Sequence, residues 1–390
     1  MIKKISTSEL RVGMYVHDLA CGWMQHPFVV SKFAVKDAQT IQKIASAGIR
    51  EVEIDTDKGR DVEQLPVLEP ANEPHMAAAK PARSSAADEG ARAAVLFREA
   101  TSIIKNMMED ARLGKQVDVQ CLDPLAERMV QSTFRNPHAL SGITRIKTKD
   151  EYTFMHCVSV AGLMTTFAVE MGLDEELVHQ VAIGGMVHDI GKTLVPDAVL
   201  NKPGKLENDE FVVMRRHVDH SGELLKEHLG LSQAAVDVAM MHHERMDGTG
   251  YPLGLKGDQI SLIGQMSAIV DVYDALTSVR VYKEAWQPSV TLKKLLEWSP
   301  HHFNGELVQR FIKCLGIYPL GSLVELASGR VGIVTEQGEE MLRPQLRIIY
   351  DAKRRHYTRV AMLDLAKEKQ DRIVAARSSA ELGIDLSAFL

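Results

Sequence analysis

From Tyr152 to Ile317, apolar residues recur near every 3.6 positions in one segment after another, the period of helices that bury a face. HCVSVAGLMTTFAVEMG reads as an apolar helix ended by Gly172. Glu175 to Val187 reads as a second, running into HDIGK, and DEFVVMRRHVDHSGELLKEH as a third with Asp209 as its cap. QAAVDVAMMHH and ISLIGQMSAIVDVYDALTSV supply a fourth and a fifth. No strands alternate with these helices, so the pattern predicts an all-helical domain, placed at residues 141–318.

The flanks have other periods. LRVGMYV, HPFVV and IREVEID are short β-branched and apolar runs between glycine and proline, and read as strands. DAQTIQKIASAG has helical spacing at Ile41, Ile44 and Ala45, with Gly48 as its C-cap. Residues 1–64 are therefore expected to be a small α+β accessory domain. The Pro- and Ala-rich run EPANEPHMAAAKPARSSAADEG has little to bury and marks a linker over residues 65–91. Two helices, from about Arg92 to Ala111 and over DPLAERMVQSTF, connect it to the central domain as a segment at 92–140. GSLVELASGRVGIVTEQ reads as a hairpin around Ser328-Gly329, and LRIIYD and RRHYTRVAML as further strands. A β-rich extension over 319–368 is expected, and the fold class is mainly α with a small β-containing unit at each end.

Composition narrows the setting. A chain of 390 residues, 45% hydrophobic and 25% charged, is globular and long enough for two or three domains. Its net charge of −6 argues against a nucleic-acid polymer as partner. The four cysteines are scattered with no C-x-x-C pair, which fits a reducing compartment. The start MIKKISTSELRVG lacks an apolar signal region. No apolar run reaches the ~18 residues of a membrane helix. A cytoplasmic protein without membrane insertion is expected.

Near the helix ends of the central domain stand His156, His188, Asp189, His217, His242, His243 and Asp271. Imidazoles and carboxylates suit divalent Fe, Mn or Zn. Seven such groups exceed the needs of one tetrahedral ion and suffice for two ions roughly 3.5–4 Å apart. Each has a bland alternative: a lone histidine such as His156 is ordinarily a packed or surface residue. An adjacent buried His-Asp pair, however, costs solvation energy unless it is partnered or metallated. His220, three residues after His217, is the weaker ligand candidate, and Asp274 follows Asp271 on the same helix face. Cys157, in an apolar helical run, reads as a core residue and not a nucleophile.

HDIGK at His188–Lys192, HHERMDGTGYP at His242–Pro252 and DVYDALTSVRVYK at Asp271–Lys283 together resemble the HD-GYP subgroup of the HD phosphohydrolase superfamily. LRVGMYV is similar to an accessory domain attached to this subgroup. The resemblance implies an HD-type helical bundle that hydrolyses cyclic di-GMP to pGpG, and onward to GMP, with a binuclear centre of two divalent ions, Fe or Mn. It implies His156, His188, Asp189, His217, His242, His243 and Asp271 as ligands, with Asp189 bridging. Some members hold a third ion through a glutamate one turn before the first histidine. That position is Tyr152 here, with Glu151 beside it, which favours two ions. Asp150, Lys192, Tyr251, Asp274, Arg280 and Lys283 are implied beside the substrate, and Asp189 and Lys192 as catalytic.

The chemistry agrees with that picture. Paired ions lower the pKa of water and neutralise phosphoryl oxygens, so the attacking group is solvent-derived. Lys192, Arg280 and Lys283 can add positive charge about the transition state, Arg280 through its planar fork. A catalytically weak cyclic-dinucleotide sensor that signals through MDGTGYP is the alternative. Helices at 92–135 leave room for a homodimer or a signalling-protein partner.

Overall fold

The computed structural model describes residues 2–7, 10–19, 32–47, 49, 51–59, 84–143, 151–226, 231–278, 285–386 and 389. The chain divides into two units, Met1–Ala79 and Lys80–Leu390.

In the first, β1 (Ile2–Ser6), β2 (Tyr15–Asp18), β3 (Phe33–Ala34) and β4 (Glu51–Asp55) form a sheet of order β1-β4-β2-β3, with α1 at Ala38–Ser46. Its core includes Leu10, Met14, Val16, Ile44, Val52 and Ile54. LRVGMYV is only partly strand. Gly13 takes φ 94° in a turn whose backbone bonds to Val35, and pairing begins at Tyr15. HPFVV and the expected cap Gly48 lie outside the described residues.

The second unit begins with α2 (Ala86–Arg112), six residues before the expected start. The Ser85 hydroxyl accepts from the Asp88 backbone N–H at 3.1 Å and sets that start. There follow α3 (Asp123–Arg135), α4 (Ala139–Ile143), α5 (Tyr152–Glu170), α6 (Glu175–Val187), α7 (Asp197–Leu200) and α8 (Asn208–Arg215). Then come α9 (His217–Lys226), α10 (Gln233–Met241), α11 (Leu262–Thr277), α12 (Pro288–Trp298) and α13 (Gly305–Leu315). The single helix expected over DEFVVMRRHVDHSGELLKEH is two, broken at Arg216. The His217 side chain takes the Met214 carbonyl at 2.6 Å, and Glu207 rather than Asp209 stands at the first helix's N-cap. Among the described residues α5 is the one helix long and apolar enough to cross a membrane, which the expectation of no such run missed; 78% of its apolar window is buried. It is the central core helix, packed against α6, α11 and α2.

The tail is a five-stranded antiparallel sheet of β5 (Leu323–Leu326), β6 (Arg330–Glu336), β7 (Gln345–Asp351), β8 (His356–Asp364) and β9 (Ile373–Arg377), in the order β8-β7-β6-β5-β9. The β5–β6 hairpin turns at Ser328-Gly329, with Gly329 at φ 92°. A strand was not read at β9, which pairs with β5 and lies beyond residue 368. A last turn, α14 (Ser379–Leu382), precedes Ile384, which packs on the sheet. The architecture is the expected mainly helical core with a β-containing unit at each end.

Candidate metal centre

Helix ends converge on one buried spot. His156 sits in the first turns of α5, and Asp271 on α11. His188 caps the C-terminus of α6, His242 that of α10, and His217 opens α9. After Asp189 a 3₁₀ turn, Ile190–Leu194, lies directly on α9. Gly191 permits that approach: a Cβ there would stand 2.0 Å from the His217 carbonyl oxygen. The Gly191 N–H donates to the Ser221 hydroxyl at 2.9 Å, which donates to the His188 carbonyl at 3.0 Å. This lock brings His217 to face Asp189.

Three overlapping groups result: His156, His188 and Asp271 at one end, His217, His242 and His243 at the other, and His188, Asp189 and His242 joining them. Asp189 stands between the two ends. Its Oδ2 is 3.4 Å from His188 Nε2 and 3.6 Å from His156 Nε2. Its Oδ1 is 3.4 Å from His217 Nε2 and 3.8 Å from His242 Nε2. His243 approaches through Nδ1, 3.7 Å from Asp271 Oδ2. His220 is in none of these groups and faces Glu223 at 3.3 Å.

The hydrogen bonds behind the rings decide what faces inward. His188 Nδ1–H donates to the Gly185 carbonyl at 2.8 Å, His217 Nδ1–H to Met214 and His242 Nδ1–H to Ala239 at 2.8 Å. A carbonyl can only accept, so each ring carries its proton at Nδ1 and turns the Nε2 lone pair inward. Those three Nε2 atoms and Asp189 Oδ1 are buried with no hydrogen-bond partner among the described residues. Four orphaned acceptors at one point cost several kcal/mol unless a cation meets them, on the order of 1–3 kcal/mol each. The donor set therefore fits divalent metal ions.

Electrostatics agree. Burial keeps these imidazoles neutral, pushing His188 down to about 3 and His217 to about 4, and lowering His242 and His243 as well. Burial resists ionisation of Asp189, yet the Lys192 ammonium, helped by the raised His156 imidazole, outweighs it and holds the carboxyl well below its usual range. For His156 burial opposes protonation, but bonds to Asp271 and Asp274 win and raise it. Asp274, expected at the substrate, lies instead behind this ring: it is buried, with Oδ2 2.6 Å from His156 Nδ1. One helical turn separates it from Asp271, so one carboxylate faces the cluster and the other orients the imidazole. Tyr152 stacks on His156 at 5.8 Å, and Glu151 pairs with Lys105 at 3.4 Å.

Lys192 bonds to Asp189 from the same turn. Tyr251 reaches the His217, His242 and His243 group, its ring 4.6 Å from that of His243. Burial, then Asp271 and Asp189, push its phenol above the usual range, so it stays a neutral hydroxyl. Asp150, Arg280 and Lys283 lie outside the described residues. Cys157 is buried, and burial raises its thiol well above the usual range, so it is no nucleophile.

Three family models match the chain: a domain of unknown function (DUF3391) at residues 2–121, an HD domain at 126–307, and a KOW domain associated with HD domains at 323–384. Over 386 residues it is 39% identical to the cyclic di-GMP phosphodiesterase PA4108 of Pseudomonas aeruginosa, covering 96% of this chain and 92% of that one. The chain belongs to the HD-GYP family of HD-domain phosphohydrolases. Like that family, it is a metal-dependent phosphodiesterase. A cyclic di-GMP phosphodiesterase of Vibrio cholerae is 34% identical over 231 residues, 58% of this chain and 44% of its own. A 3′3′-cGAMP-specific phosphodiesterase 2 of the same organism is 35% identical over 169 residues, 43% of this chain and 32% of its own.

Within this HD-GYP chain, Glu244 and Arg215 beside the centre escaped the sequence reading. Glu244 is buried, and its two carboxylate oxygens accept from the backbone N–H groups of Leu253 at 2.8 Å and Leu255 at 3.0 Å. It fastens the turn-rich loop to the histidine pair. Gly250 lets the loop fold flat there, since a Cβ would stand 2.4 Å from the Arg245 nitrogen. The Tyr251 N–H then donates to the His243 carbonyl at 3.1 Å. Arg215 lies over the Tyr251 ring at 4.4 Å, with no ion-pair partner among the described residues. No local pattern marks Glu244 for this role; only the folded loop reveals that its oxygens serve backbone donors.

Proposed function

We propose that this chain hydrolyses cyclic di-GMP to linear pGpG, with onward cleavage to GMP, at two divalent ions, Fe or Mn. One observation carries the reading: the two oxygens of Asp189 face separate groups of inward-turned imidazoles. His156, His188 and Asp271 would hold one ion, His217, His242 and His243 the other, and Asp189 would bridge. Such a pair of ions activates water and neutralises a phosphodiester. Lys192 holds Asp189 ionised and offers its ammonium to the phosphate on the open side. Tyr251, fixed by His243 and Arg215, presents a neutral hydroxyl to the substrate. Asp150, Arg280 and Lys283 complete the proposed substrate contacts. Near full-length similarity to a cyclic di-GMP phosphodiesterase supports the substrate, against more partial similarity to cGAMP-specific relatives. Residues 1–64 are proposed as an accessory input domain.

Protein loaded with Mn or Fe is predicted to turn over cyclic di-GMP faster than cyclic AMP-GMP, and Asp189→Ala to abolish turnover while lowering metal content. No turnover of any cyclic dinucleotide at verified occupancy refutes the enzyme reading. Binding without turnover would make the chain a sensor.

A further inference from the structure

A cavity of about 320 Å³ borders His242 and His243. Its far wall comes from the end of α12 and the connection to α13: Trp298, His302 and Phe303. Its near wall is Tyr251 with Phe211, ring centroids 6.3 Å apart. Trp298 and His302 lie 6.3 Å apart, and His302 meets Phe303 edge-on at 6.1 Å, so the far wall is a continuous aromatic surface. Arg245 stands at the rim, and the one hydrogen bond of its guanidinium among the described residues is a long one, 3.5 Å, to the Thr249 hydroxyl.

The volume lies at the small end of ligand pockets, roughly 300–1,000 Å³, so it suits one planar base and not a whole cyclic dinucleotide. Aromatic walls favour a flat π system. A guanidinium at the rim selects the kind of base, because guanine offers two acceptors, O6 and N7, on one edge, whereas adenine offers a donor beside its acceptor. The cavity floor is the histidine pair of the metal cluster, so a phosphate at the centre leaves its neighbouring base within reach. We propose that this cavity is the subsite for one guanine of the substrate, stacked in the aromatic box with Arg245 at its O6/N7 edge. The inference rests on the cyclic-dinucleotide reading above, which it extends to base selection.

The test separates the two. Base stacking quenches tryptophan, so GMP added to the metal-loaded full chain should quench fluorescence, more strongly than AMP at equal concentration. Trp298→Phe should remove the quench while keeping GMP affinity within a few-fold, and Trp298→Ala should weaken GMP binding about tenfold. Arg245→Gln should narrow the preference for GMP over AMP. In turnover, Trp298→Ala should raise KM for cyclic di-GMP by a similar factor, with kcat/KM for the base-free aliphatic diester ribose 5-(methyl phosphate), which has no aromatic ring to stack, within twofold of the parent. An undiminished quench in folded Trp298→Phe, no discrimination between GMP and AMP, or equal loss on the base-free ester overturns the subsite. Failure of the parent on every cyclic dinucleotide would instead overturn the enzyme reading, and GMP binding still decides the subsite.

Discussion

At the scale of single residues, four of the metal-facing imidazoles are each set by the atom behind the ring. His188 and His242 lean on carbonyls of the helices they cap, and His217 on Met214 of the preceding helix α8, each three residues back. His156 alone is oriented by a carboxylate from another helix, Asp274 on α11. A carbonyl fixes a tautomer; a carboxylate also makes the ring a stronger donor. Asp274→Asn keeps the shape and removes the charge, and its amide can present a donor where an acceptor is needed. Metal affinity or activity is predicted to fall about 10–100-fold, the usual cost of losing such a partner. Calorimetric titration with Mn into Asp274→Asn and Asp274→Ala checks this. Unchanged affinity in both would return Asp274 to a packing role.

At the scale of elements, the sequence showed which helices exist, and much less of how they lock together. Glu175–Val187 was legible to the residue because Asp174 caps it and the His-Asp pair follows. The ligand candidates were legible because they cluster at helix ends, where ordinary packing needs no histidine. The break at Arg216 was not legible, since it depends on a side chain bonding its own backbone. Contacts across long separations left no local trace either, and Glu89 is the clearest case. It is buried on α2 and takes both Arg135 Nε and Nη2 of α3 at 2.8 Å, 46 positions away. Burial works against its charge, but Arg135 outweighs this and lowers its pKa. The sign follows: a carboxyl lowered in the folded state stabilises above its unfolded value of about 4.3, and that contribution disappears as pH falls through the folded value. Glu89→Gln is predicted to cost about 1.5–3 kcal/mol at pH 7 in urea unfolding, with the deficit shrinking in acid. A deficit independent of pH would mean that shape, not charge, matters at this joint.

At the scale of the whole molecule, the orphaned acceptors make metal a folding ligand for one unit only. His188, His217 and His242 Nε2 and Asp189 Oδ1 all belong to the unit Lys80–Leu390. An ion that binds the folded arrangement and not the unfolded chain adds RT ln(1 + [M]/Kd), about 2.7 kcal/mol at a hundredfold excess over Kd. In a unit of about 310 residues, an unfolding entropy of about 2.1 cal/mol/K per residue makes each kcal/mol worth about 1.5 °C, so each ion bound should raise the unfolding of this unit by roughly 4 °C. The described residues of the first unit, within 2–59, contain no such cluster, and its own transition should not move. The check is calorimetry of the full chain after chelation and again after Mn or Fe is restored, with metal content measured on the same samples. Restoration should return both the transition and about two ions per chain, the number a binuclear centre requires. A third ion held reproducibly would require a ligand at or beside Tyr152, where that ring stacks on His156 and Glu151 pairs with Lys105. Metal that leaves the main transition in place would mean that the imidazole cluster is stable without it, and that the cost assigned to its orphaned atoms is met by water.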